Sequence, residues 1–143
     1  MKLLNINLLV LATSEATAQH ARARSWFEEI MSGAETVAFP WQALIGFVRL
    51  TTRRAVMDPP LTADRAIDYV QEWLTQPCAT AVHPTYRHLA VLRELLNAVG
   101  TAGNRVPDAH LAALAIEHRA TLCSADEDFG RFPGLVWMDP LWT

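Results

Sequence analysis

At 143 residues, half of them hydrophobic and 19% charged, the chain is the size of one domain with a substantial core and is too apolar for disorder. Its apolar runs are too short and too interrupted to span a bilayer, so a single soluble, cytoplasmic domain over residues 1–143 is expected, with no membrane partner. A formal charge of −3 excludes a protein that coats nucleic acid through bulk electrostatics. Lys2 is the only lysine, which nearly excludes a phosphate-cradling Walker loop or a Schiff-base lysine. Basic chemistry here is arginine chemistry.

In chain order, residues 2–5 read as a short buried strand rather than a leader, with polar asparagines interrupting the apolar run at Asn5 and Asn7. Residues 7–12 continue as a helical turn or two. From Thr17 to Met31 the apolar positions recur at helical spacing, and Gly33 follows as a stop. Residues 36–39 form a β-type run closed by Pro40, and residues 41–53 resume helical character. Thr62 caps a further helix that stops before Pro77. Residues 79–82 predict a third strand, and Tyr86 to Val99 a helix ended by Gly100. Pro107 and Asp108 then open a helix that is apolar nearly all round, the mark of one buried in a layered domain. Residues 120–124 predict a fourth strand, 125–130 a loop and 135–138 a fifth strand. Cys78 and Cys123 stand in no metal-binding or redox spacing and read as small core hydrophobes. The five tryptophans are expected mostly in the core, with Trp142 a candidate contact to a second protein chain.

Short strands alternating with helices of ten or more residues predict an α/β three-layer domain with a short, mainly parallel central sheet flanked by helices. In such folds ligands lie beyond the carboxyl ends of the strands, where Asn5, Asp126 and the helix-start Asp108 converge. Carboxylates meeting there repel one another unless a cation or proton sits between them, and Mg²⁺, with Mn²⁺ as a substitute, is the economical answer. Such an ion can orient water for attack on a phosphodiester. Each acid also has a plain reading: Asp108 as a first-turn acid, Asp126 as a loop residue bonding its own backbone, Asp128 as the cap of a turn holding Phe129 and Phe132.

The stretches Met1–Leu9, Phe47–Leu50, Asp108–Ala115 and Ser124–Phe129 resemble the motifs of PIN-domain ribonucleases, most closely the VapC toxins of mycobacterial type II toxin–antitoxin pairs. The likeness continues through Phe132–Leu135 and Asp139–Leu141. The resemblance implies a PIN-like fold and a Mg²⁺- or Mn²⁺-dependent endoribonuclease that cuts structured RNA, a tRNA or rRNA loop. It also implies a homodimer held silent by a VapB antitoxin. The family's acids fall on position 5, Asp108, Asp126 and Asp128; Asn7 and Ser124 orient acids or water, against ordinary turn capping as the competing role. Two positions depart from the pattern. Position 5 holds asparagine where the family has aspartate, and the family's glutamate after strand two falls on Gly46. Asn5 keeps the shape of aspartate and loses its charge, so an Asp-to-Asn variant with reduced or abolished activity is expected. A catalytically silent PIN-fold module that binds RNA or protein is the second reading. Arg49, Arg53 and Arg54 are candidate RNA contacts, against a solvated basic face, and His110, two residues past Asp108, is expected to point away from the acids.

Overall fold

The computed structural model describes residues 1–142. Five parallel strands form the middle layer: β1 (Lys2–Leu4), β2 (Val37–Pro40), β3 (Ala79–Val82), β4 (Thr121–Cys123) and β5 (Trp137–Met138), in the spatial order β3-β2-β1-β4-β5. Parallel pairing demands crossover connections, and six helices supply them: α1 (Ile6–Thr13), α2 (His20–Met31), α3 (Trp41–Thr51), α4 (Ala63–Thr75), α5 (His88–Val99) and α6 (Arg105–Glu117). Successive strand residues face opposite sides of a sheet, and β1 shows the consequence directly. Leu4 joins the core under α1–α4 with Leu8, Phe39, Phe47 and Trp73, whereas Leu3 joins a second core under α5 and α6 with Ala38, Leu114 and Phe129. Trp73 is the keystone of the first, with the rings of Phe27, Phe39 and Phe47 at 5.5, 6.0 and 4.7 Å. Truncating it to alanine would cost about 3–5 kcal/mol.

The expected elements are present with shifted ends. β1 stops at Leu4 because the Asn5 side chain accepts the Ile6 N–H at 2.8 Å and starts α1 at once. Pro40 ends β2 without a loop, its missing N–H costing nothing at a helix start, and α3 begins at the next residue. α6 starts at Arg105, two residues earlier than Pro107 suggests; Pro107 still lies in the first turn, where no intrahelical N–H is required. Asp108 is therefore the first-turn acid of α6 and not its cap, and its own N–H donates to Asn104 O at 3.0 Å. Leu111 to Ala115 are buried all round between the sheet and α5. The loop expected at 125–130 is a 3-10 turn over Glu127–Arg131, capped by Asp126 and not by Asp128.

Both cysteines are reduced: Cys123 is buried and Cys78 is half-buried at the edge of the first core. Three of the five tryptophans belong to the cores as expected, Trp73 buried and Trp26 and Trp137 half-buried against them, and Trp142, the expected exception, is 81% exposed; Trp41, 42% exposed, departs from the expectation. Among the described residues no helix is long and apolar enough to cross a membrane.

Candidate functional site

The sheet sets the site through the ends of β1 and β4, which run side by side in register from Lys2 and Thr121 to Leu4 and Cys123. The ladder's last rung, Asn5 N–H to Cys123 O at 3.0 Å, pins position 5 beside Ser124. Ser124 is fully buried and held at both backbone groups: its N–H donates to Met138 O at 3.1 Å, and its carbonyl accepts the Trp137 indole at 3.0 Å. Its hydroxyl oxygen then receives three N–H donors, from Asn5 Nδ2 at 3.0 Å, Asn7 Nδ2 at 3.1 Å and the Asp126 backbone at 3.1 Å. A hydroxyl offers two lone pairs and one proton, so three N–H donors exceed its acceptor capacity by one. Asn7 Oδ1 is buried without any donor, and turning the Asn7 amide over lets it accept the Ser124 hydroxyl proton, which leaves two donors for the hydroxyl's two lone pairs.

Asp108, Asp126 and Asp128 meet in one cleft of about 270 Å³, lined also by Asn104, Arg105, Arg131 and Phe132. Burial, and then the negative charges of Asp126 and Asp128, push the Asp108 carboxyl above the usual carboxylate value, while Arg131 pulls it back. Asp126 accepts the Asp128 N–H at 2.9 Å, and Asp128 accepts from Arg131 Nη2 at 2.8 Å. Position 5 joins this cleft through Ser124 alone. Among the described residues no three acid, histidine or cysteine side chains converge tightly enough to enclose a metal ion. The donor set, hard oxygens on Asp108 and Asp126 with like charges facing each other, fits a hydrated divalent ion that keeps most of its waters, and not a closed cage.

The other candidates fall elsewhere. A Cβ at Gly46 would collide with the Ile6 Cδ1 methyl, so the space from which a side chain at 46 would leave is filled from α1. Arg49, Arg53 and Arg54 are exposed and do not line the acid cleft; Arg54 stands 3.8 Å from Asp58. His110 turns from the acids, as expected from its helical position, and its Nδ1 meets His88 Nε2 at 2.9 Å. His88 Nδ1 in turn lies 2.5 Å from Glu117, whose other oxygen accepts Thr85 N–H and Oγ1–H at 2.9 and 2.6 Å. This Thr85–Glu117–His88–His110 chain, buried at Glu117 and His88, staples α5 to α6 and was not legible in the sequence; only the seven-residue interval from His110 to Glu117, two turns on one face, hints at it. Arg105 and Arg131 were missed as well. Each lies three residues from an acid of the cleft, Arg105 before Asp108 and Arg131 after Asp128, a helical-neighbour spacing that marks them in retrospect.

The fold is a parallel α/β sandwich with its acids gathered beyond the carboxyl ends of its middle strands, the place where such sheets bind ligands. The PIN domain model matches residues 6–135. Ribonuclease VapC37 of Mycobacterium tuberculosis is 44% identical over 140 residues, covering 98% of this chain and 97% of that protein. The chain belongs to the VapC family of PIN-domain ribonucleases. Among solved structures, VapBC2 of Rickettsia felis bound to a DNA fragment from its promoter aligns with TM-score 0.69 at 18% identity, over 96% of each chain. VapC20 of Mycobacterium tuberculosis, titled a sarcin–ricin loop cleaving toxin, aligns with TM-score 0.66 at 16% identity, over 95% of this chain and 99% of that one.

Proposed function

We propose that this chain is the toxin of a VapBC pair, an endoribonuclease fold that acts on structured RNA such as a tRNA or rRNA loop with Mg²⁺ or Mn²⁺ and is neutralised by a VapB antitoxin. The observation that carries the reading is the meeting of Asp108, Asp126 and Asp128 in one cleft of a VapC-family chain. Asp108 and Asp126, with position 5, would hold the ion, and Asp128 would complete the acid wall. A divalent ion bound there supplies a polarised water and charge stabilisation for phosphodiester hydrolysis. The chain's own residues do the rest. Ser124 and Asn7 orient position 5 and Asp126, and the raised Asp108 carboxyl is held ready for a cation by its two acidic neighbours. Arg49, Arg53 and Arg54 are assigned to outlying RNA phosphates, and a homodimer is the assembly expected of the family.

Asn5 makes this chain an inactivated form. The support is the chemistry of the amide: its one oxygen is neutral and already accepts the Ile6 N–H, and its nitrogen donates to Ser124. A carboxylate at position 5 would accept Ile6 N–H with one oxygen and keep a second, charged oxygen for the Ser124 hydroxyl or a cation. The amide reverses one of these bonds and removes the charge that a divalent ion seeks. Calorimetric titration of Mn²⁺ into the Asn5 chain and into Asn5→Asp tests this. Binding at least tenfold tighter in Asn5→Asp is expected; equal, negligible binding in both would favour the silent RNA- or protein-binding module instead.

A further inference from the structure

An acidic cleft attracts a divalent ion and repels the polyanion it is meant to cut, so an RNA-cutting chain of net charge −3 needs cations placed at the cleft itself. Lys2 is spent on Glu35. Of the arginines, only Arg105 and Arg131 line the cleft with the three acids. Arg105 anchors one nitrogen on Val99 O at 2.8 Å. Arg131 lies along Asp128, donating Nε to the backbone oxygen at 3.1 Å and Nη2 to the carboxylate at 2.8 Å, and it keeps most of its five N–H donors unspent. It stands on a turn nailed to the core by Phe129 and Phe132, whose buried rings lie 6.0 Å apart. A guanidinium fixed on a rigid turn is prepared for planar, two-point recognition of a phosphate. The Asp128–Arg131 pair is exposed and contributes little to stability, so its geometry serves to hold the guanidinium at the cleft with its remaining donors open to a phosphate.

We propose that Arg131, assisted by Arg105, grips the RNA phosphate beside the acid cleft; this rests on the ribonuclease reading above and names the positioning residues for its substrate. The interaction serves binding and orientation, with no bond made or broken by the arginine.

The test uses the Asn5 chain, which binds without cutting, and a fluorescein-labelled RNA hairpin with an unpaired loop, followed by anisotropy at several salt concentrations without divalent ion. Arg131→Gln is expected to weaken binding about tenfold and to reduce the salt slope by about one phosphate contact, Arg105→Gln to weaken it less, and Arg131→Lys to keep the slope. Arg24→Gln, on an exposed arginine paired with Glu28 on α2, serves as the control and leaves both values unchanged. If the parent binds and Arg131→Gln binds equally well with the same slope, the arginine assignment falls and the ribonuclease reading stands. If the parent binds no hairpin at all, both fall. Mn²⁺ affinity of Asn5→Asp, by calorimetry, should be kept or tightened by Arg131→Gln, which removes a positive charge beside the acids; its loss would mean that Arg131 merely holds Asp128 in place and would overturn the proposal.

Discussion

At the scale of single residues, Ser124 is where fold and site are joined. One buried hydroxyl collects Asn5, Asn7 and the backbone of Asp126, so it fixes the geometry of groups 119 and 117 positions away in sequence. Ser124→Ala is expected to destabilise by about 2 kcal/mol or more, because it strands buried donors and does not simply delete one bond. Urea unfolding would show this as a lower midpoint with unchanged slope. The site's polar groups were legible in the sequence because one follows each of two short strands, Asn5 after β1 and Asp126 after β4, and because Pro107–Asp108 announces a helix start. Their counter-ions were not: a lone arginine on a surface gives no signal until a partner three residues away is known to face the same cleft.

At the scale of elements, two helix contacts explain what the site lacks and what holds it. α1 and α3 approach so closely at Gly46 that Ile6 occupies the space a side chain there would need. Gly46→Glu needs only the end of the Ile6 side chain to turn aside and gains helix propensity over glycine, so a net change within about 1 kcal/mol is expected; pairing it with Ile6→Val, which removes the obstructing methyl, is expected to be more stable than the two single changes added, a coupling that a double-mutant cycle measures. On the other face, α5 and α6 are stapled by Glu117 and His88. Burial pushes the Glu117 carboxyl up, but hydrogen bonds from Thr85 and His88 win and hold it below the usual carboxylate value. A lowered acid contributes stability that is present above its unfolded value of 4.5 and is lost as pH falls through the lower folded value. Glu117→Ala is expected to cost about 2 kcal/mol at neutral pH, by leaving His88 Nδ1 and the Thr85 N–H and hydroxyl without their acceptor, and to flatten the fall in thermal midpoint below about pH 4.5. Helix ends were the least legible part of the sequence. Asn5 and Asp126 act through side-chain caps that cut an element short by a residue or two, and apolar periodicity carries no information about caps.

At the scale of the whole molecule, the order and parallel pairing of the strands place the acids between β1 and β4, with α6 aimed at the same point. That arrangement follows from the alternation of short apolar runs with longer amphipathic ones, which is why the three-layer fold is readable in the sequence. The α5–α6 staple was not, since it depends on which faces of two helices meet. The net charge of −3 becomes consistent with RNA chemistry once cations are placed locally beside the acids. The central claim is that this cleft is a divalent-ion ribonuclease site short of one negative charge. Mapping RNA ends after incubating total RNA with Asn5→Asp, with Mn²⁺ or with chelator, tests it most directly. The account predicts cleavage at one defined site that requires the ion and is absent with the Asn5 chain; no cleavage above the Asn5 chain, or cleavage indifferent to chelator, would contradict it.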